Sequence, residues 1–167
     1  MSVKPLRTNG RRAAPNRMKL EERFADEARF IKSWFDSPLT TGAVTPSGRF
    51  LARAMARCVD PKADGLIVEL GPGTGPVTEA LVARGVPVEK LVLVEYDASF
   101  CKLLERRFPG AQVLRGDAYR LQDTLKHLDG APVSTVVSSL PLLTRPERER
   151  LTLLDEAFAL MGAEGSF

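Results

Sequence analysis

Three glycines at alternate positions, preceded by a carboxylate, are the residues of this chain whose types and spacing point most clearly to chemistry. Gly71, Gly73 and Gly75 follow directly after the aliphatic run at residues 66–70, whose fourth residue is Glu69. The run has the length and composition of a strand buried on both faces. A glycine turn lets backbone N–H groups approach a ligand at the carboxyl end of a parallel strand, beside a helix N-terminus. The stretch therefore predicts a ligand-binding loop.

The spacing of the glycines distinguishes between the known nucleotide-binding motifs. The order Gly71-x-Gly73-x-Gly75 differs from the dinucleotide fingerprint G-x-G-x-x-G, and no Lys-Ser/Thr pair follows as a P-loop requires. The stretch Glu69–Gly75 instead resembles the E-x-G-x-G-x-G motif of S-adenosylmethionine-dependent methyltransferases with the Rossmann-like fold. On this stretch alone, a tight turn in an unrelated α/β protein is the alternative.

An acidic residue also ends the second predicted strand, residues 91–94. Glu95 stands about 20 residues beyond the glycines, where Rossmann-like folds place an acid that accepts hydrogen bonds from both ribose hydroxyls. The next residue, Tyr96, is positioned to flank the adenine. Asp97 is the candidate N-cap of a helix over residues 98–108.

The third predicted strand, residues 111–115, leads into the tripeptide Gly-Asp117-Ala118. The methyltransferase family has an acidic residue here that accepts from the adenine amino group. The resemblance assigns adenine recognition to Asp117, with the backbone N–H of Ala118 beside it. The competing interpretation makes Asp117 the N-cap of a helix over residues 119–128.

Ser139, Leu140 and Pro141 follow the fourth predicted strand, residues 132–137. In this family the carboxyl end of the fourth strand faces the transferred methyl group, so the resemblance makes these three candidate catalytic residues, with Tyr119 as a further contact for the amine or its phosphate. Enzymes that methylate exocyclic nitrogens have an Asn-Pro-Pro-Tyr motif here. This chain has Ser139 for the Asn and Leu142 for the aromatic, which disfavours nucleobase methylation. An ordinary strand exit containing proline is the alternative.

The alternation of strands and helices predicts an α/β protein with a central, mostly parallel sheet. The resemblance implies the Rossmann-like methyltransferase fold, with strand order 3-2-1-4-5-7-6. Residues 165–167 look like the start of the fifth strand, so we expect the chain to be truncated there, with the C-terminal strands missing.

Two flanking helices have predicted apolar faces. In the helix over residues 47–59, the predicted apolar face consists of Phe50, Leu51, Ala54, Met55 and Cys58. Arg49, Arg53 and Arg57 lie on a separate strip. The helix over residues 146–161 is assigned an inward face of Leu151, Leu154, Ala157, Phe158 and Met161.

Charge is unevenly distributed along the 167 residues, whose net charge is +3. The six basic residues up to position 19 all precede the first acidic residue, Glu21, so residues 1–19 carry +6 and the remainder carries −3. We predict a disordered basic tail over 1–18, an amphipathic N-terminal helix over 19–36 and a methyltransferase domain over 37–167. The tail suits an anionic membrane face or RNA. A solvated tail without a partner is the alternative.

The segment 19–35 has a broad apolar face that includes Phe24, Trp34 and Phe35. A basic tail before an amphipathic helix with Trp and Phe is typical of an interfacial anchor. A helix that packs over the sheet requires the same apolar face, so both interpretations stay open.

The composition indicates one domain without a metal site. The only cysteines, Cys58 and Cys101, lie in helical patterns, and with the single histidine, His127, they offer few metal ligands. No run is long and apolar enough for a membrane span, and the N-terminus lacks the apolar core of a secretory signal, so we expect a cytoplasmic protein.

A narrower resemblance links the chain to the bacterial phospholipid N-methyltransferases that convert phosphatidylethanolamine to phosphatidylcholine. It rests on the segments 42–49, 69–75 and 137–143, with the N-terminal helix added. The resemblance implies a peripheral enzyme of the inner membrane face that uses S-adenosylmethionine, releases S-adenosylhomocysteine and is a monomer. Its expected partners are an anionic membrane surface and a phospholipid, with no nucleic acid favoured. The alternatives are an RNA adenine dimethyltransferase and a non-catalytic, cofactor-binding membrane scaffold.

Overall fold

A computed structural model describes residues 46–128, 130–161 and 165–167, which belong to one folded unit, Val44–Phe167. The predicted basic tail 1–18, the predicted amphipathic helix 19–36 and residues 37–45 lie outside the described residues. The helices are α1 (Pro46–Arg57), α2 (Pro76–Ala83), α3 (Ala98–Arg107), α4 (Leu121–Leu125) and α5 (Glu147–Met161), and the strands are β1 (Leu66–Leu70), β2 (Leu91–Glu95), β3 (Gln112–Arg115) and β4 (Val133–Ser138).

The four strands form one parallel sheet in the order β3-β2-β1-β4. Successive strands β1 to β3 extend the sheet in one direction, and β4 then pairs with the other side of β1. The crevice beyond the carboxyl ends of β1 and β4 is therefore the topological switch point, where open α/β sheets bind their ligands. The sheet order places the candidate site between the glycine turn after β1 and the exit of β4.

Helices cover both faces of the sheet. The face that we call the α2 face packs against α1, α2 and α3, and its core includes Ile67, Leu81 and Leu104. The opposite face, the α5 face, packs against α4 and α5, and its core includes Val68, Leu121 and Leu153. Every residue of β2 is buried, as expected for a central parallel strand.

The predicted start of a fifth strand is confirmed. Ser166 forms a parallel bridge with Thr135 in β4, and its carbonyl accepts from the Val136 N–H at 3.0 Å. The next strand position therefore lies beside β4, where the predicted order places strand five.

The predicted inward face of α5 is wrong in part. The buried residues are Leu153, Ala157 and Met161, whereas Leu151 and Phe158 are about half exposed. The apolar residues of this segment lie on two overlapping stripes of the helix. Contact with β4 and with residues 118–120 buries the stripe that contains Leu153.

The predicted apolar face of α1 is also mostly wrong. Ala52 and Ala56 are buried, whereas Phe50 and Leu51 are 68% and 62% exposed. The small alanines let α1 approach α2 closely, and Phe50 and Leu51 point away from the contact, whereas Met55 packs against the core.

The predicted helix over residues 119–128 is interrupted. It consists of a 3₁₀ turn at Ala118–Arg120, the five-residue α4 and a second 3₁₀ turn at Lys126–Leu128. Arg120 has φ −132° and ψ 55°, which are not helical angles, so the first turn does not continue into α4.

Candidate active site

The glycine turn after β1 has a left-handed backbone at each of its three glycines. Gly71 has φ +67° and Gly73 has φ +57°, angles that residues with a Cβ adopt rarely. A Cβ on Gly71 would lie 2.5 Å from Leu140 Cδ2, so glycine also allows the turn to pack against the β4 exit. At Gly73 no atom lies within 4 Å of that position, which leaves the turn open toward the ligand side. Gly75 caps α2.

Glu69 is completely buried on the α2 face, directly before the turn. Its Oε2 accepts from Thr78 Oγ1 at 2.6 Å and its Oε1 accepts from Ser139 Oγ at 3.2 Å. Burial raises the pKa of Glu69 from 4.5 to about 7, although the two hydroxyl hydrogen bonds oppose the shift. The predicted cofactor residue Glu69 therefore joins α2 to the predicted catalytic residue Ser139.

Glu95 lies at the end of β2 and bridges back to the glycine turn. Its Oε2 accepts from the Gly73 N–H at 3.0 Å, and its Oε1 accepts from the N–H groups of Tyr96 and Asp97 at 2.8 and 3.0 Å. The carboxylate is buried but adjoins the open side of Gly73. This position suits the predicted contact with ribose hydroxyls.

Tyr96 and Asp97 differ in exposure and in role. Tyr96 has an exposed ring directly after Glu95, a position compatible with the predicted adenine contact. The side chain of Asp97 accepts from the N–H groups of Ser99 and Phe100 and caps α3. Hydrogen bonding, first of all from the Ser99 hydroxyl, lowers the pKa of Asp97. The N-cap interpretation of Asp97 is therefore confirmed.

Asp117 and Ala118 lie at the exit of β3, beside the exit of β2. The Gly116 N–H donates to the Glu95 carbonyl at 3.0 Å, which holds the two exits together. Asp117 Oδ1 accepts from the Tyr119 N–H at 2.9 Å and caps the 3₁₀ turn, as the competing interpretation predicts. Ala118 is buried. The adenine contact of Asp117 stays a prediction alongside this capping role.

The β4 exit brings the predicted catalytic residues next to the cofactor turn. The Ser139 N–H donates to the Leu70 carbonyl at 2.8 Å, which continues the pairing of β4 with β1. Leu140 packs on Gly71, and Pro141 is exposed before a 3₁₀ turn at Leu142–Thr144. The geometry therefore allows an acceptor at this exit to reach a ligand on the glycine turn.

Tyr119, the fourth predicted catalytic residue, packs against the α5-face core. The Arg145 guanidinium lies over its ring, 4.9 Å from the centroid. Burial raises the pKa of the Tyr119 hydroxyl, with the Arg145 charge opposing the shift. Sequence reasoning missed Arg145 and Thr78, because neither belongs to a local motif and each meets its partner only through the fold.

The residues present fit a nucleoside ligand. Three groups follow each other along one edge of the sheet. They are the backbone N–H groups of the glycine turn after β1, the buried carboxylate of Glu95 at the end of β2 and the carboxylate of Asp117 after β3. Among the residues that the structure describes, no group of three or more His, Cys, Asp or Glu side chains could hold a metal ion.

Comparison with known proteins identifies lipid and RNA methyltransferases as relatives. No model of a known protein family matches the chain. An ornithine lipid N-methyltransferase of Singulisphaera acidiphila is 28% identical over 141 residues, 83% of this chain and 73% of that protein. A ribosomal RNA small subunit methyltransferase A of Synechococcus sp. is 35% identical over 96 residues, 56% of this chain and 31% of that protein.

Solved structures with the same fold include N-methyltransferases. Phosphoethanolamine N-methyltransferase 1 of Haemonchus contortus, in complex with phosphoethanolamine and S-adenosylhomocysteine, has a TM-score of 0.62 at 21% identity, covering 87% of this chain and 31% of that one. A TehB-like S-adenosylmethionine-dependent methyltransferase of Corynebacterium glutamicum has a TM-score of 0.58 at 17% identity, covering 85% and 71%. The chain therefore has the fold of the S-adenosylmethionine-dependent methyltransferases, and its sequence relatives are methyltransferases, which agrees with the predicted family and cofactor.

Proposed function

We propose that this protein methylates the amine of phosphatidylethanolamine, and of its mono- and dimethylated products, at a membrane surface. The observation that carries the proposal is the similarity to a lipid N-methyltransferase, which extends over 83% of the chain. The similarity to ribosomal RNA methyltransferases covers 56% of the chain. The match to the lipid N-methyltransferase therefore includes more of the fold than the match to the RNA methyltransferase does.

The β4 exit supports a lipid acceptor over a nucleobase. Leu142 stands where the Asn-Pro-Pro-Tyr motif has its aromatic residue, and it packs against the α5-face core. The next residue, Leu143, is 88% exposed. An extruded base needs an aromatic or other flat surface on which to stack. An exposed leucine beside the site suits contact with acyl chains.

The chain's own residues would hold a neutral amine at this exit. When bound, S-adenosylmethionine supplies a methyl group already activated by its sulfonium, so the protein need mainly orient the acceptor and exclude water. The Ser139 hydroxyl donates to Glu69, which leaves the Ser139 oxygen to accept from an amine N–H. The Leu140 carbonyl, which accepts from the Leu142 N–H at 2.8 Å, has a second lone pair for the same purpose.

An exposed face of α1 supports membrane association. Phe50 and Leu51 project from the helix beside an exposed strip of Arg49, Arg53 and Arg57. Apolar side chains flanked by arginines are typical of surfaces that dock on anionic lipid. No helix among the described residues is long and apolar enough to cross a membrane.

The test is transfer of labelled methyl from S-adenosylmethionine to phosphatidylethanolamine in anionic vesicles. The wild-type chain should produce mono-, di- or trimethylated lipid. Glu95→Ala should weaken cofactor binding by about 10- to 100-fold, because hydrogen bonds to a charged group are worth about 1.5–3 kcal/mol. Glu105→Ala removes an exposed carboxylate from α3 and should change neither lipid methylation nor cofactor binding.

Two results would overturn the proposal. Label that enters an RNA substrate and no lipid would establish the RNA methyltransferase alternative. Cofactor binding without transfer to lipid, RNA or small amines would favour the non-catalytic scaffold.

A further inference from the structure

A buried carboxylate and a partly exposed hydroxyl are joined at the exit of β4. Glu69 is 0% exposed, and its Oε1 accepts from Ser139 Oγ at 3.2 Å. Ser139 is partly exposed, and its N–H donates to the carbonyl of Leu70, the residue directly before the glycine turn. A hydrogen bond of this length is within the reach that proton transfer requires. Ser139 therefore connects the acceptor side of the site to a carboxylate that solvent does not reach.

The surroundings of Glu69 suit a group that takes up a proton. Within the described part of the chain, Glu69 has no basic partner: α2 and β4 face it with the hydroxyls of Thr78 and Ser139, and β2 faces it with the carboxylate of Glu95. Burial raises the pKa of Glu69 to about 7, the Glu95 charge adds to this, and the two hydroxyls oppose it. A general base works best when its pKa lies near the working pH.

The acceptor amine must lose a proton before it can react. An alkylamine has a pKa near that of lysine, about 10.4, so almost all of it is ammonium at neutral pH. An ammonium nitrogen carries donors only and has no lone pair with which to take a methyl group. A proton acceptor at the β4 exit therefore removes a barrier that orientation of the amine alone would leave.

We propose that Ser139 and Glu69 form a relay that takes this proton from the acceptor ammonium. The inference rests on the proposed function and assigns the proton acceptor of that reaction. The ammonium N–H donates to Ser139 Oγ, which takes the proton while its own hydroxyl proton passes to Glu69 Oε1. The N–H electron pair stays on nitrogen, so the products are a neutral amine, an intact serine hydroxyl and a carboxylic acid.

The same path resets the relay after each reaction. The protonated Oε1 donates to Ser139 Oγ, while Thr78 continues to donate to Oε2 at 2.6 Å. When the methylated product leaves, the proton returns through Ser139 to solvent. One proton is released for each methyl group transferred, which is the balance that methylation of an ammonium to a methylammonium requires.

The relay predicts a flat pH profile. Between pH about 7, where Glu69 ionises, and about 10, where the amine itself titrates, kcat of the wild type should be nearly constant. Without the relay only the neutral amine reacts, so kcat should rise about tenfold per pH unit over this range. Glu69→Gln and Ser139→Ala should each show this slope and lie about 100-fold or more below the wild type near neutral pH, because general bases contribute about 10²–10⁴-fold.

Three further variants separate the relay from a structural role. Ser139→Thr keeps the hydroxyl and should keep the flat profile. The double variant Glu69→Gln with Ser139→Ala should lose no more activity than either single variant, because the two residues act as one unit. Ser138→Ala is the matched control and should behave like the wild type. Strand alternation places Ser138 on the α5 face, away from Glu69, and its Oγ has no hydrogen-bond partner in the described part of the chain.

Thr78→Val tests the titration of Glu69 directly. The change removes the hydroxyl that donates to Oε2, so the pKa of Glu69 should rise and the flat region of the profile should begin at higher pH. Infrared spectra recorded over a pH series distinguish a carboxylic acid from a carboxylate. Compared with the spectra of Glu69→Gln, they give the pKa of Glu69 without reference to activity.

The experiment measures kcat over the pH series with the full chain and saturating S-adenosylmethionine. The two acceptors are phosphatidylethanolamine in anionic vesicles and ethanolamine in solution. The affinity of each variant for the cofactor is measured separately, so that weaker cofactor binding is not counted as a lost relay. Ser139→Ala changes a partly exposed position and carries the test if Glu69→Gln fails to fold.

The outcomes separate this inference from the proposed function. Parallel profiles of the wild type, Glu69→Gln and Ser139→Ala, with lipid still methylated, would overturn the relay and leave the proposed function in place. Methyl transfer to ethanolamine and not to lipid, with a flat profile that the variants lose, would sustain the relay and refute the phospholipid acceptor. Transfer to neither acceptor would overturn both.

Discussion

Two carboxylates beside the glycine turn have opposite surroundings. Glu95 accepts from three backbone N–H groups, whereas Glu69 is fully buried and, within the described part of the chain, accepts from two hydroxyls. Hydroxyls donate to an ionised carboxylate, and they can also accept from a protonated one. This environment makes Glu69 a titratable group whose protonation affects both Thr78 in α2 and Ser139.

Glu69→Gln should remove a pH dependence of stability. The folded pKa of Glu69, about 7, lies above the unfolded value of 4.5. The favourable contribution is therefore complete below about 4.5 and is lost as pH rises through about 7. By linkage, the wild type should lose up to about 3 kcal/mol of unfolding free energy over that interval relative to the variant.

Urea unfolding at a series of pH values measures this difference. Glu105→Gln, an exposed carboxamide substitution on α3, serves as the control and should follow the wild type. Parallel pH profiles of wild type and Glu69→Gln would show that Glu69 titrates as an ordinary carboxyl.

At the scale of elements, the helix faces are decided by what they pack against. The α5 segment contains apolar residues at 151, 153, 154 and 157–161, so more than one stripe satisfies a helical period. Contact with β4 buries Leu153 and Ala157 and leaves Leu151 and Phe158 about half exposed. Phe158 then meets Phe167 with ring centroids 6.0 Å apart, beside the start of strand five.

Leu153→Ala and Leu151→Ala form a matched pair for this assignment. Leu153 is completely buried, so its truncation should lower the free energy of unfolding by about 2–5 kcal/mol. Leu151 is 53% exposed, so the same change there should stay within about 0.5 kcal/mol. Chemical denaturation of both variants gives the two values, and a larger loss for Leu151→Ala would restore the stripe predicted from sequence.

At the scale of the whole molecule, the excess of basic over acidic residues is found in two segments of the sequence. The first 19 residues carry +6, and the exposed strip of α1 adds three arginines within the folded unit. The rest of the chain is acidic on balance. We therefore expect an anionic surface to be attracted to the α1 side of the folded unit.

The triple substitution Arg49→Gln, Arg53→Gln and Arg57→Gln should weaken binding to anionic vesicles by about 10- to 100-fold. Each basic residue near such a surface contributes about 1 kcal/mol, and salt screens the attraction. Vesicle sedimentation at two salt concentrations measures the effect. The matched control, Lys102→Gln, Arg106→Gln and Lys126→Gln, removes the same charge from exposed positions elsewhere. Equal losses in both variants would mean that net charge alone drives binding.

Sequence by itself determined the local features of the fold and of the cofactor site. The aliphatic run and the three glycines Gly71, Gly73 and Gly75 predict a strand, a left-handed turn and a helix. The backbone preferences behind this prediction act between neighbouring residues, so the sequence alone contains them. The spacing to Glu95 likewise predicted its place beside the turn, where it accepts from Gly73. Asp97 capped its helix as its position indicated.

Only the tertiary structure decided which distant residues meet. The hydrogen bond between Glu69 and Ser139 spans 70 positions, and the stacking of Arg145 on Tyr119 depends on α5 following β4 at the switch point. The buried stripe of α5 and the exposed face of α1 were equally undetermined, because several stripes satisfy a helical period. Hydrophobic periodicity predicts that a helix has an apolar face. Which stripe is buried depends on contacts with elements elsewhere in the chain, because those contacts exclude water from it.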